Sequence, residues 1–337
     1  MKPFLTFLFA CLLAGNIFAT PKDTPVVSPQ SIFDYLHQED VLEMAIFADF
    51  SKLMDQKLET EEYESATIKL INPKGKLTSL PVKIKPRGKF RRRVCDFPPL
   101  KLKFKKDFLL ENGLDTFNKL KLVTHCTLDP ASNQEALLKE FLAYKMLNTL
   151  TNNSFRVQLL YVTYVDVSGK NENLSSFAFI LEEDEQVAHR MGGMLTEQFN
   201  TQENELDREQ AGLVSMFQYM IGNPDWDLTM NRNLKMVKNT GTGKISLIPY
   251  DFDYSGWVSP KYLKDQDRLK NDQERKLKGI QLSDAELETL KSNFRSKKAT
   301  FIDDIEKSSY LEKVSQKKLR RYLDEFYDEL EELGAGY

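Results

Sequence analysis

Residues 222–237 read GNPDWDLTMNRNLKMV, and residues 249–256 read PYDFDYSG. Asp225 and Asp227 fall in a polar, turn-prone run, and Asn233 directly precedes a short apolar strand. Asp251 directly follows another apolar strand, Ile245 to Tyr250. An aspartate, then an asparagine, then a hairpin that returns a second aspartate is an order suited to phosphoryl transfer. One carboxylate orients the attacking group, and the Asn and the last Asp offer hard oxygens to a divalent ion that bridges phosphates. Asp225 is therefore the candidate catalytic carboxylate, with Asp227 second. Asn233 and Asp251, joined by Asp253, are the candidate ligands for Mg2+ or Mn2+. The same chemistry needs a cation on the nucleotide phosphates, for which Lys101 or Lys103 fits, and a helix carboxylate to orient that cation, for which Glu140 fits.

Each part also has an ordinary structural reading. Lys101 and Lys103 suit the wet side of a sheet, Glu140 suits a helix surface, and Asp225 and Asp227 beside Asn and Pro suit a turn. Asp is common at strand ends, so Asp-Phe-Asp alone carries little. The order of the parts, more than any one of them, points to the chemistry.

The elements that must position these residues follow from periodicity. Ala66 to Ile71 and Pro81 to Arg87 alternate as strands around a Pro73-Lys74-Gly75 turn. Leu100, Leu102 and Phe104 lie on one face of a further strand, with Lys101 and Lys103 on the other. Val82 and Ile84 likewise oppose Lys83, Lys85 and Arg87. If these two strands pair, one face is core and the other is a basic floor. Leu42 to Leu53 reads as a strand running into a short helix. Asn133 to Leu150 is helical, with Leu137, Phe141, Tyr144 and Asn148 at 3,4 spacing and Leu138, Leu142 and Met146 widening the apolar face. Phe155 to Val167 and Ser176 to Glu182 read as strands. A second helix, Leu206 to Ile221, stops at Gly222-Asn223-Pro224. Ser283-Asp284-Ala285-Glu286 is a capping box, and two charged amphipathic helices follow, about Asp284 to Glu306 and Ser309 to Leu333. The layout is α+β and two-lobed, strand-rich first and mainly helical afterwards, with a cleft between.

Composition bounds the function. The 337 residues, 41% hydrophobic and 29% charged, suit a globular chain with real cores. The net charge of -3 hides two runs: Lys83 to Lys106 carries eleven Lys/Arg against Asp96, and Leu181 to Gln210 carries nine acids against two Arg. The basic run lacks interleaved stacking aromatics and the whole chain is acidic, which disfavours a nucleic-acid partner. Lys2, the apolar Phe4 to Phe18 and Ile17-Phe18-Ala19 make a secretory signal cleaved after Ala19. Leu8-Phe9-Ala10-Cys11 resembles a lipoprotein box, but the bulky Phe9 and the apolar run beyond Cys11 favour plain cleavage. The product is exported, periplasmic or extracellular, with no transmembrane segment left. Cys95 and Cys126 remain, and an even pair in an oxidising compartment favours a disulfide over two buried thiols. No zinc-ligand spacing exists.

Arg87-Gly88, FPPLKLKF at Phe97 to Phe104, LLKEFLAYKML at Leu137 to Leu147, GNPDWD with NRN, and PYDFDYSG together resemble the CotH kinase-like family. CDFPPLKLKF, KLKLVTHC, FLAYKMLN and YMIGNPDW are similar to its branch common in Bacteroidetes-type bacteria. The resemblance covers roughly Ile68 to Trp257. It implies a protein-kinase-like fold with ATP or another nucleotide between lobes, Asp225 as catalytic aspartate, Asn233 and Asp251 as metal ligands, and a lysine from the KLK strand. The expected organisation is a signal peptide at 1–19, a linker and extension at 20–40, an N-lobe at 41–183 and a helical C-lobe at 184–337. This chain departs from ordinary kinases in having no Gly-rich loop. Gly88 stands alone, so basic side chains such as Arg87, Lys101 and Lys103 would cover the phosphates. Asp225 and Asn233 lie eight residues apart, against about five in ordinary kinases; the extra residues either bulge out or shift the role to Asp227. Two functions follow: a secreted phosphotransferase acting on a protein or envelope acceptor, or a catalytically inactive kinase-like scaffold of the envelope.

Overall fold

The computed structural model describes residues 29–55, 57–58, 62–72, 75–127, 130–259 and 275–334, with backbone only at 130–133. The signal segment, Cys11, most of the 20–30 linker, and Pro73 and Lys74 of the expected turn lie outside these residues.

Helix α1 (Ile32–Leu36) starts in a capping box between Ser31 and Asp34. Strand β1 (Leu42–Ala48) runs into α2 (Phe50–Asp55), in line with the mixed period of that stretch. Then come β2 (Glu64–Ile71), β3 (Leu77–Pro86), α3 (Arg91–Val94), β4 (Leu100–Lys103), α4 (Lys106–Glu111), β5 (Lys119–Val123), α5 (Pro130–Leu150), β6 (Val157–Asp166) and β7 (Leu174–Leu181). The seven strands close into a barrel in the order β1-β2-β3-β4-β5-β7-β6. Only the closing β6–β1 pair is parallel. Closure removes the unpaired edges that an open lobe would leave. Strand β5 and the short helices α1, α3 and α4 add to the expected elements; they carry too few residues for a periodic signal of their own.

The barrel interior follows from alternation. Leu80, Val82 and Ile84 of β3, Leu100 and Leu102 of β4, and Leu120 and Leu122 of β5 point inward and are buried. The intervening lysines point out.

The rest of the chain adds α6 (Asp184–Arg190), β8 (Gly193–Thr196), a 3-10 turn (Glu203–Glu205), α7 (Arg208–Met220), β9 (Leu234–Asn239), β10 (Ile245–Pro249), α8 (Asp284–Lys307) and α9 (Lys313–Glu332). Strands β10, β9 and β8 form a second sheet. The Ser283 capping box opens α8 as its sequence requires. A single apolar core joins α5 and the outer side of β7 to α7, α8 and α9, through Leu138, Phe179, Phe217, Phe294 and Phe326. The boundary expected at 183/184 falls between β7 and α6, but this core crosses it. The architecture is mixed α and β. Among the described residues, no helix is long and apolar enough to cross a membrane.

Four carboxylates of the acidic run are neutralised by ion pairs. Glu182 accepts from Arg156 and Arg190, Glu183 pairs with Lys119, Asp184 with Lys121 and Lys235, and Glu203 with Arg208.

Candidate active site

A cleft of about 630 Å³ is lined by the loop after β3, by α3, β5 and α5, and by Asp225, Tyr250, Asp251, Asp253 and Tyr254. Helix α5 presents Glu140 and Tyr144 to it, four residues apart and so on one helical face. The backbone N–H of Asp251 donates to the Tyr144 hydroxyl at 2.8 Å. That bond helps hold Asp251 in the left-handed region, at φ 64°. Asn233 also lies there, at φ 53°. Left-handed backbone at non-glycine residues clusters at functional sites. The Asn233 side-chain amide donates to the Asp225 carbonyl at 2.6 Å and to Asp225 Oδ2 at 3.0 Å. The Asn233 carbonyl accepts from Tyr250 N–H at 3.0 Å, tying the Asp225 loop to the end of β10.

Asp225 lines the cleft, and Asp227 does not. Asp227 Oδ1 accepts from Met230 N–H at 2.8 Å, and Asp227 bridges to Arg232 through backbone bonds. The extra residues between Asp225 and Asn233 therefore bulge out as a turn that Asp227 closes. Arg232 stands 3.6 Å from Asp225 Oδ1.

The cations differ from those expected. Arg91 Nη2 lies 3.2 Å from Glu140 Oε2, 2.5 Å from Asp253 Oδ2 and 3.9 Å from Asp251 Oδ1. The expected partner of Glu140 was Lys101 or Lys103; it is Arg91. The reason is topological. Lys101 and Lys103 stand on the outer face of β4, outside the cleft lining, whereas α3 folds Arg91 over the cleft. Two other lysines line the cleft: Lys89, in the loop after β3, and Lys121, on β5, directly opposite Lys101 in the sheet register. Arg87 and Gly88 line it as well.

Cys95 follows α3 and is disulfide-bonded to Cys126, with Cα atoms 4.6 Å apart. Phe97 N–H donates to the Cys126 carbonyl at 3.0 Å beside it. The α3 segment is thus fastened to the β5–α5 connection, in a chain whose sequence holds no Gly-rich loop.

Electrostatics follow from this crowding. Burial raises the Glu140 carboxyl, Arg91 pulls it back down, and Asp253 and Asp251 push it up again. Burial and the neighbouring Asp253 raise Asp251, against Arg91 and Arg87. With 48% of its side chain exposed, solvent moderates that rise. Burial also raises Asp225, against Arg232 and the Asn233 hydrogen bond. Burial pushes Lys121 down to about 8, against its Asp184 partner. The Lys121 ammonium sits 4.9 Å from the Phe155 ring centroid and 5.3 Å from that of Tyr250.

Sequence reasoning does not reach Arg91, Lys121 or Tyr144 as site residues. Lys121 has a signal: Lys119-Leu120-Lys121 repeats the Lys101-Leu102-Lys103 pattern one hairpin later. Tyr144 sits at a packing position of the helical period, which hides its hydroxyl's role. Arg91 sits in a run of three arginines, and nothing in the run distinguishes it.

No family model and no curated protein matches the chain. Among solved structures, the chain is similar to the proinflammatory kinase CtkA of Helicobacter pylori, at 11% identity and a TM-score of 0.37, over 69% of this chain and 94% of that one. A likeness at this level carries no argument, so the functional reading rests on the site itself.

Proposed function

We propose that this protein is an exported, CotH-like kinase-fold phosphotransferase, moving a phosphoryl group from ATP or another nucleotide to a protein or envelope acceptor. One observation carries the reading. A single cleft gathers the cations Arg87, Arg91 and Lys121 with the carboxylates Asp225, Asp251 and Asp253. Cations without carboxylates would suit any anion. Carboxylates interleaved with cations suit an anion that brings its own metal. The Cys95–Cys126 disulfide fits an oxidising compartment.

The residues suit a Mg2+ or Mn2+ ion carried in with the phosphates. Among the described residues, no three His, Cys, Asp or Glu are grouped to hold a metal ion by themselves. Mg2+ is commonly held by one or two protein oxygens, with phosphates and waters completing the shell. Asp251 and the Asn233 side-chain oxygen match that need, with Asp253 adjoining once Arg91 moves off it. Bound there, the ion would neutralise charge on the phosphates. Lys121 and Arg87 would grip those phosphates from the barrel side. Asp225, its carboxylate oriented by Asn233, would accept the acceptor's proton.

Calorimetry on the mature chain tests this. Mg2+-dependent heat with ATP or GTP is expected, lost in Asp251→Ala. Asp225→Ala should retain binding and lose transfer. An absence of Mg2+-dependent heat with either nucleotide or their analogues leaves the second reading, a catalytically silent envelope scaffold. One contact favours that reading: Arg91 already serves Asp251 and Asp253 as an internal counter-ion.

A further inference from the structure

The barrel carries a second basic surface outside the cleft. In the sheet register Lys83 faces Lys103, which faces Lys119, and Lys85 faces Lys101, which faces Lys121. Six lysines thus form two rungs on the outer face of β3, β4 and β5. Like charges directly opposed across strands destabilise a sheet, so this arrangement opposes the fold's own stability. The β5 lysines have acidic partners, Glu183 and Asp184. Among the described residues, no carboxylate lies within ion-pair distance of Lys83, Lys101 or Lys103. The Lys101 ammonium is destabilised by partial burial and then by Lys119 and Lys85, against the weaker pull of Asp184 and Glu183. The Tyr63 ring lies under two of the ammonium groups, 5.1 Å from Lys85 and 5.4 Å from Lys103, and steadies them. The helices that back the barrel, α2 and α5, pack on β6 and β7; on this face Lys83 and Lys103 are exposed and Lys85 and Lys101 half-buried.

We propose that this face docks an extended acidic segment of a partner protein. Three observations select that occupant. The charge is complementary, and no described carboxylate stands within ion-pair distance of Lys83, Lys101 or Lys103. The geometry is that of a strand. Lysines at i and i+2 along β3 and β4 stand roughly 7 Å apart, the spacing at which an extended chain presents alternate side chains on one face. The surface is continuous with the cleft, because the Lys85–Lys101 rung ends at Lys121, which lines it. A segment lying along β4 meets Lys101 and Lys103 at that spacing and passes beside Lys121 at the cleft mouth. The proposal stands whether or not the cleft transfers phosphate.

The test is fluorescence anisotropy with the mature chain. Its probes are a labelled peptide with glutamates at alternate positions, a peptide of the same composition with its glutamates clustered, and a single-stranded oligonucleotide and a sulfated glycan of matched charge. The alternating peptide should bind tightest, and more weakly once the salt shortens the screening length below about 8 Å. Lys83→Glu with Lys103→Glu should weaken it by roughly tenfold or more. Lys83→Gln with Lys103→Gln, which reverses no charge, should weaken binding less and guards against a misfolded variant. The proposal is overturned by absent peptide binding, by equal binding of the two peptides, by tighter binding of the oligonucleotide or glycan, or by unchanged affinity in both folded variants.

Discussion

Replacing Arg91 by Met tests the central electrostatic claim about the cleft. Arg91 keeps 13% of its side chain exposed and Glu140 keeps 4%, so the pair is largely buried. Removing one member of a buried pair typically costs about 3–5 kcal/mol, because the other charge is left uncompensated. The lower end applies, since Glu140 has a cheaper escape, which is to take up a proton. A loss of about 3 kcal/mol corresponds to a melting shift of about 5 °C for a chain of this size. The Glu140 carboxyl is already raised above its ordinary value of 4.5 by burial, and without Arg91 it rises further. A carboxyl raised in the folded state holds its proton more tightly there than in the unfolded chain. Its contribution is therefore fully present below 4.5 and is lost as the pH climbs through the folded value. Within that window each pH unit removes up to about 1.4 kcal/mol. Arg91→Met should thus be far closer to wild type at about pH 5 than at about pH 8. Adding Glu140→Gln should flatten most of the slope and recover stability at the higher pH. Urea melts of the three proteins at both pH values decide it. Equal loss at both pH values, with no recovery in the double variant, would refute the account.

Reduction of the Cys95–Cys126 bond, or Cys126→Ser, opens a loop spanning 31 residues. In the chain-entropy model that costs about 3–4 kcal/mol, read as a lower urea midpoint with and without reductant. Lys121→Met should weaken Mg2+-nucleotide binding in calorimetry at least about tenfold, while Lys101→Met, outside the cleft, should leave it unchanged; the reverse order would return the phosphate-gripping role to the KLK strand. Gly279 holds φ at 111°, and a Cβ there would lie 2.1 Å from Ser215 Oγ beneath Trp226. Gly279→Ala should cost about 3 kcal/mol in a thermal melt, with no change in the pH profile of Arg91→Met.

Several features are legible in the amino-acid sequence alone. The alternation in Pro81 to Arg87 and Leu100 to Phe104 does mean paired strands with a leucine face and a lysine face. The capping box at Ser283, the stop at Gly222 and the span of α5 follow from local chemistry, in which a side chain and its own backbone suffice. The pairing of Cys95 with Cys126 follows from their even count and the oxidising compartment the sequence leads one to expect. The nearness of Asp225, Asn233 and Asp251 is also short-range, because a hairpin joins the three in sequence.

Tertiary structure decided the rest. Alternation states that Lys101 and Lys103 share a face, but not what that face looks upon. In this barrel it looks outward, and only the next strand, β5, carries its lysine into the cleft. Barrel closure depends on β1 meeting β6, a contact between residues more than a hundred positions apart, and no local pattern encodes it. Arg91 is indistinguishable from Arg92 and Arg93 by sequence. Its selection as the counter-ion of Glu140, Asp251 and Asp253 needs α3 to be laid over the cleft with the Cys95–Cys126 bond just beyond it. Periodicity assigns residues to faces. Which face meets which is set by long-range packing and by the need to pair buried charge, and that was decided by the fold.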